Sequence, residues 1–67
     1  MSIGQRIIQL RTQRNMSQNQ LAKVMEVSRQ AVSKWENGSS DPSTSNLLAL
    51  AKLYGISAEE LLKNVEQ

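Results

Sequence analysis

Five polar residues recur at helical spacing between positions 29 and 37. Arg29, Gln30, Ser33, Lys34 and Asn37 fall at i, i+1, i+4, i+5 and i+8. On a helix of 3.6 residues per turn they share one face, with no apolar residue among them. Their chemistry suits the edge of a base pair. An arginine fork pairs with guanine O6 and N7, and a glutamine amide pairs with adenine N6 and N7. A serine hydroxyl donates or accepts, and a lysine ammonium meets a phosphate as a point charge. The same residue types also make an ordinary solvated helix face, so the spacing alone leaves both readings open.

Other chemistries have little to work with. The chain has no histidine and no cysteine, which excludes disulfides and the usual zinc ligand sets. No glycine-rich phosphate loop is present. Asp41 sits in loop-forming sequence, and Glu59 and Glu60 open a helical segment, where the helix dipole accounts for them. No nucleophile–base pair can be assembled, so no catalysis, metal or cofactor is expected.

The net charge of +2 is small, but it is divided unevenly. Residues 1–38 carry Arg6, Arg11, Arg14, Lys23, Arg29 and Lys34 against Glu26 and Glu36, a net of +4. Residues 39–67 carry Lys52 and Lys63 against Asp41, Glu59, Glu60 and Glu66, a net of −2. A basic first half is consistent with a polyanionic partner. The longest apolar run, Leu47 to Ala51, is five residues, far short of the ~20 a membrane span requires. Met1 to Arg6 has no secretory pattern, so a cytoplasmic location and no membrane contact are expected.

The elements that must position these residues are helical. Ile3, Ile7 and Leu10 form one apolar stripe, and Leu21, Val24 and Met25 a second. Val27, Ala31, Val32 and Trp35 form a third, Leu47, Leu50, Ala51 and Tyr54 a fourth, and Leu61 and Leu62 a fifth. Period-2 alternation is absent, so strands are not expected. Ser2 with Gln5, Ser17 with Gln20 and Ser57 with Glu60 fit the capping box, while Ser28 and Ser43 can cap alone. Asn15, Gly38 and Gly55 each follow a stripe and can end a helix in the left-handed conformation. These signals predict a single all-α domain over residues 1–67, with helices at about 3–14, 18–25, 29–37, 44–54 and 58–64. Trp35 lies on the inward stripe and is read as core, not as a stacking platform. Met16 and Met25 are read as gap fillers.

Only about three residues separate the second and third helices. So tight a joint makes the helices cross steeply, as in a helix-turn-helix. Ala22 supplies the small contact residue, and Leu21, Met25, Val27, Val32 and Trp35 close the corner.

Here the chain resembles the Cro/cI-type (XRE-type) helix-turn-helix family of phage repressors and bacterial regulators. The resemblance runs from about Ile3 to Leu62. It rests on Ser17-Gln18-x-x-Leu21-Ala22, Val27-Ser28-x-x-x-Val32-Ser33-x-Trp35-Glu36-x-Gly38 and Ile56-Ser57-x-x-Glu60-Leu61-Leu62. It implies a λ-repressor-like five-helix bundle whose third helix, residues 28–37, enters the major groove of double-stranded DNA. Arg29, Gln30, Ser33 and Lys34 would then read bases. Gln18, Asn37, Arg11 and Ser28 would face phosphates, Gln18 with the help of its helix dipole. The resemblance also implies an ion pair between Arg11 and Glu36. One departure stands out, because the family's turn often carries glycine where this chain has Glu26.

The implied function is transcription regulation, as a repressor acting as a homodimer on a palindromic operator. Tyr54, Ile56 and Ala58 mark the surface expected at the dimer contact. An alternative use of the same fold is to bind a protein partner, as antitoxins do. An RNA or single-strand role fits less well, since one Trp and one Tyr are poor stacking material.

Overall fold

In the computed structural model, which describes residues 1–66, each predicted serine opens a helix. Ser2, Ser17, Ser28, Ser43 and Ser57 are all extended, and each hydroxyl accepts the backbone N–H three residues on. The helices are α1 (Ile3–Gln13), α2 (Gln18–Met25), α3 (Arg29–Asn37), α4 (Thr44–Tyr54) and α5 (Ala58–Leu61). No strand occurs among the described residues. The all-α five-helix architecture is the expected one.

The capping boxes of α1 and α2 are complete, with Gln5 and Gln20 reaching back to the cap backbone at 2.8 and 2.7 Å. The box expected at Ser57 forms only by half. Its hydroxyl accepts from the Glu60 N–H at 3.0 Å, but the Glu60 carboxylate lies 4.0 Å from Arg6 Nη2 instead of turning back.

The helix ends also follow the sequence, with two exceptions. Asn15, Gly38 and Gly55 adopt positive φ, as expected of stop residues. Glu26 does so as well, at φ 59, so the joint between α2 and α3 needs a left-handed residue and receives a glutamate. Helix α5 stops at Leu61, three residues before the predicted end. The Arg6 guanidinium donates to the Leu61 and Glu60 carbonyls at 2.9 Å each, and the Glu60 carbonyl also accepts the Lys63 N–H at 3.2 Å in the closing turn. The chain then turns at Asn64, φ 64.

The core collects the inward stripes. Ile7, Leu10, Leu21, Ala22, Val32, Trp35, Leu50, Ala51, Tyr54 and Leu61 are buried, and Met16, Met25, Val27 and Leu47 pack against them. Trp35 is core, as its spacing predicts. Val24 and Leu62 depart from the expected stripes and stand exposed. Val24 lies within α2 but away from the core residues Leu21 and Ala22, and Leu62 is the residue that caps α5. Tyr54, expected at a dimer surface, is 6% exposed and belongs to the core. Its ring lies under the Arg14 guanidinium, 4.4 Å from centroid to Cζ.

Helices α1 and α3 meet unusually closely. A methyl group at Gly4 would lie 2.4 Å from the Trp35 carbonyl oxygen and 2.8 Å from that of Glu36. The bare Cα is what lets α1 rest on the last turn of α3. The N-terminal helix therefore sets the height of the third helix directly through backbone contact.

Candidate functional site

Helix α3 stands on the bundle by its inward residues. Val32 is fully buried and Trp35 nearly so, which turns Arg29, Gln30, Lys34 and Asn37 to the exterior and leaves Ser33 half-buried beside them. The five predicted residues thus lie together on one outer face. That face carries two cations and no acidic group, because Glu36 turns inward.

Glu36 is the electrostatic centre of the site. Its side chain is 5% exposed and forms a forked ion pair with Arg11. Arg11 Nε lies 2.7 Å from Glu36 Oε2, and Nη2 lies 3.0 Å from Oε1. Planar, two-point pairing of this kind is the strongest form of the interaction. Hydrogen bonding to Glu36 raises the Arg11 guanidinium further above its ordinary pKa, against the opposing effect of burial. The pair joins α1 to the last turn of α3, as the resemblance implies.

The same carboxylate holds α2. Gln18 Nε2 donates to Glu36 Oε1 at 2.9 Å. Gln18 Oε1 in turn faces Arg29 Nη1 at 3.5 Å, a long contact. Gln18 thus sits between the buried pair and the first residue of α3. Sequence reasoning placed Gln18 at this helix start but missed its tie to Glu36. The signal available was the Arg11–Glu36 match, since a buried carboxylate with four acceptor sites needs further donors.

The residues expected at phosphates divide into two groups. Ser28 and Asn37 lie exposed at the two ends of α3. The Ser28 hydroxyl accepts from the Ala31 N–H at 3.0 Å, which leaves its own proton free to donate. Asn37 Oδ1 accepts from the Ser39 N–H at 2.8 Å, and its amide nitrogen remains outward. Arg11 is different. Its Nε and Nη2 serve Glu36 and its Nη1 donates to the Met16 carbonyl at 2.9 Å, so three of its five N–H groups are held within the protein. Burial of Glu36 is the physical reason, because an unpaired buried carboxylate would be costly.

Among the described residues no group of histidine, cysteine or acidic side chains could hold a metal, and no helix is long and apolar enough to cross a membrane.

Comparison with known proteins places this arrangement. The helix-turn-helix family model matches residues 7–61. The chain is 39% identical over 66 residues to the HTH-type transcriptional activator BcrR of Enterococcus faecalis, covering 98% of this chain and 32% of that protein. It is 39% identical over 61 residues to repressor protein C2 of Salmonella phage P22, covering 91% of this chain and 28% of the repressor. The HTH-type transcriptional regulator DicA of Escherichia coli K12 is 39% identical over 62 residues, 92% of this chain and 46% of DicA. The chain thus spans less than half the length of these relatives.

Solved structures agree. The DNA-binding domain of the P22 C2 repressor in solution superposes with a TM-score of 0.86 at 38% identity, over 96% of this chain and 84% of that one. The P22 c2 repressor in complex with a synthetic operator gives 0.83 at 38% identity, over 94% and 96%. The restriction-modification controller protein C.AhdI from Aeromonas hydrophila gives 0.80 at 37% identity, over 88% and 89%. With α2 and α3 joined at a tight left-handed turn and the matching sequence spanning both, this chain belongs to the Cro/cI (XRE) type of the helix-turn-helix family.

Proposed function

We propose that the chain binds double-stranded DNA sequence-specifically and regulates transcription, as a repressor that occupies a palindromic operator as a homodimer. Helix α3 enters the major groove. Arg29, Gln30 and Ser33 read bases, and Lys34 lies at a base or the adjacent backbone. Ser28, Asn37 and the start of α2 at Gln18 meet phosphates and fix the register. The observation that carries this reading is the outer face of α3. It is polar, cationic and free of acid, because the one acidic residue of that helix is folded into the ion pair beneath it.

Two copies are required on mechanical grounds. One recognition helix reads only a few base pairs, and two reach half-sites about 34–36 Å apart, one turn of the duplex. The similarity to a repressor solved on operator DNA supports the duplex as ligand. The relatives above are named as an activator, a regulator and a repressor, which favours DNA over a toxin or other protein partner. A cytoplasmic, non-catalytic role follows from this reading.

Selection of duplexes from a randomised library tests it. A two-fold symmetric motif is expected. On that motif Gln30→Ala should cost about 1–3 kcal/mol and relax the preference at one base of each half-site. Weak binding that is sensitive to salt but enriches no sequence would refute specific recognition.

A further inference from the structure

Asparagine is followed by glycine only once in the chain, at Asn37 and Gly38, where α3 ends. The four other asparagines, Asn15, Asn19, Asn46 and Asn64, precede Met16, Gln20, Leu47 and Val65, whose side chains crowd the next backbone nitrogen. Gly38 has no side chain, and no atom lies within 4 Å of where a Cβ would stand. Its N–H is shared between the Lys34 and Trp35 carbonyls, the second at a long 3.4 Å. Helix ends held in this way open readily. The Asn37 side chain is oriented at the same time. Its Oδ1 accepts from the Ser39 N–H at 2.8 Å, a proton that the Lys34 carbonyl shares at 3.0 Å. That donor polarises the side-chain carbonyl and stabilises negative charge on its oxygen. An accessible backbone nitrogen and a polarised amide carbon thus stand on adjacent residues, both exposed to water.

We propose that Asn37 is a modification site: it deamidates in the folded chain, and the acid formed ends the phosphate contact at the close of α3. Once the last turn opens and base removes the Gly38 N–H proton, that nitrogen attacks Asn37 Cγ. The new C–N bond closes a succinimide ring, the Cγ–Nδ2 bond breaks, and the amide nitrogen leaves as ammonia with a proton from water. Water then opens the ring at either carbonyl, leaving aspartate or isoaspartate at position 37. The sequence consumes water only, and the base is regenerated. The consequence for DNA rests on the duplex-binding reading above. The product puts a full negative charge where an amide donor stood, on a face that otherwise carries no acid. That charge lies beside phosphate and at the negative end of the α3 dipole, and both placements are unfavourable. Isoaspartate also adds a methylene to the backbone where Gly38 makes its left-handed turn at φ 83.

Ageing the purified chain in mildly alkaline buffer tests the site. Peptide mapping by mass spectrometry is expected to show acid at position 37 accumulating ahead of the four other asparagines, as a mixture of aspartate and isoaspartate. Anion exchange then separates acid from amide chains of one sample, and a melting curve on each corrects for any unfolded share. On the duplex motif that wild type selects, the acid fraction is expected to bind about fivefold or more weakly, the effect of one charge beside a phosphate in a water-like medium. Its salt slope should be shallower by about one unit, because the added charge offsets one neutralised phosphate. Asn37→Asp, made directly, should show the same loss and the same slope. Asn37→Gln, whatever its starting affinity, should not change on ageing.

An amide at position 37 that survives ageing, or that converts no sooner than the other asparagines, would overturn the modification site. Equal affinity of the acid and amide fractions, or of Asn37→Asp and wild type, would overturn its effect on binding. A wild-type chain that selects no motif would remove the duplex reading itself. The mass measurement uses no DNA, so it decides the modification site in that case as well.

Discussion

Replacing Gly4 with alanine sets helix propensity against tertiary contact. Alanine is favoured over glycine inside a helix by up to about 1 kcal/mol, so propensity predicts a stabilised protein. Tertiary packing predicts the opposite. The added methyl would sit 2.4 Å from the Trp35 oxygen, where ordinary contact is 3.4–4 Å, so about 1 Å of separation must be found. The obstructing atoms are backbone of α3, and no side chain can rotate to make room. Helix α1 would have to lift, loosening Ile7 and Leu10 in the core. Overpacking of this kind costs about 1–3 kcal/mol, and more when the neighbours are rigid. After the propensity gain, a net loss of roughly 1–2 kcal/mol is expected. A domain of this size holds only roughly 3–10 kcal/mol in total. Thermal unfolding should register the change as a drop of roughly 5–15 °C, at 4–8 °C per kcal/mol. Because the contact falls on Trp35 and Glu36, the variant should also weaken duplex binding beyond what its unfolded fraction explains. An unchanged or raised melting temperature would refute the close approach and the argument built on it.

Three further changes probe the same frame. Glu26→Gly should stabilise the chain by about 1 kcal/mol, since glycine reaches φ 59 without steric penalty; urea titration would read the gain, and a loss would mean the glutamate side chain has an unseen role. A double-mutant cycle on Arg11→Met and Glu36→Gln should give a coupling well above 1 kcal/mol, because either single change strands a buried charge or its partner; coupling near zero would reduce the pair to two independent residues. The Tyr54 hydroxyl is buried and meets no partner among the described residues, so Tyr54→Phe should be neutral or mildly stabilising at neutral pH. Burial also raises the Tyr54 phenol above its usual value of 10.0, with the nearby Arg14 opposing. The folded state then holds that proton more tightly than the unfolded one. The corresponding stability is intact below pH 10 and is lost as pH rises through the folded value. Tyr54→Phe should remove that part of the alkaline decline, and an identical decline in both proteins would refute the assignment.

Much of this molecule is local, and local features are what a sequence displays. Five serines precede five apolar stripes, and a serine hydroxyl caps the third backbone N–H onward whatever surrounds it. The spacing of Val32 and Trp35 names the inward face of α3. The same period then names Arg29, Gln30, Ser33, Lys34 and Asn37 as the outward one. The identity of the helix-turn-helix was legible for the same reason, since a three-residue joint admits few geometries.

What only the tertiary structure decided depends on residues distant in the chain. The carbonyls at the end of α5 are met by Arg6, 55 positions away. Glu60 left its capping box for that same arginine. Tyr54 is core rather than surface because Arg14 and the bundle close over it. Gly4 reads as an indifferent helical residue until α3 is laid across it. The direction of the Gln18 amide follows from a carboxylate 18 residues further on, itself fixed from α1. Periodicity reports which face of a helix is inward. It carries no information on which partner waits there, because that is settled only when the helices pack.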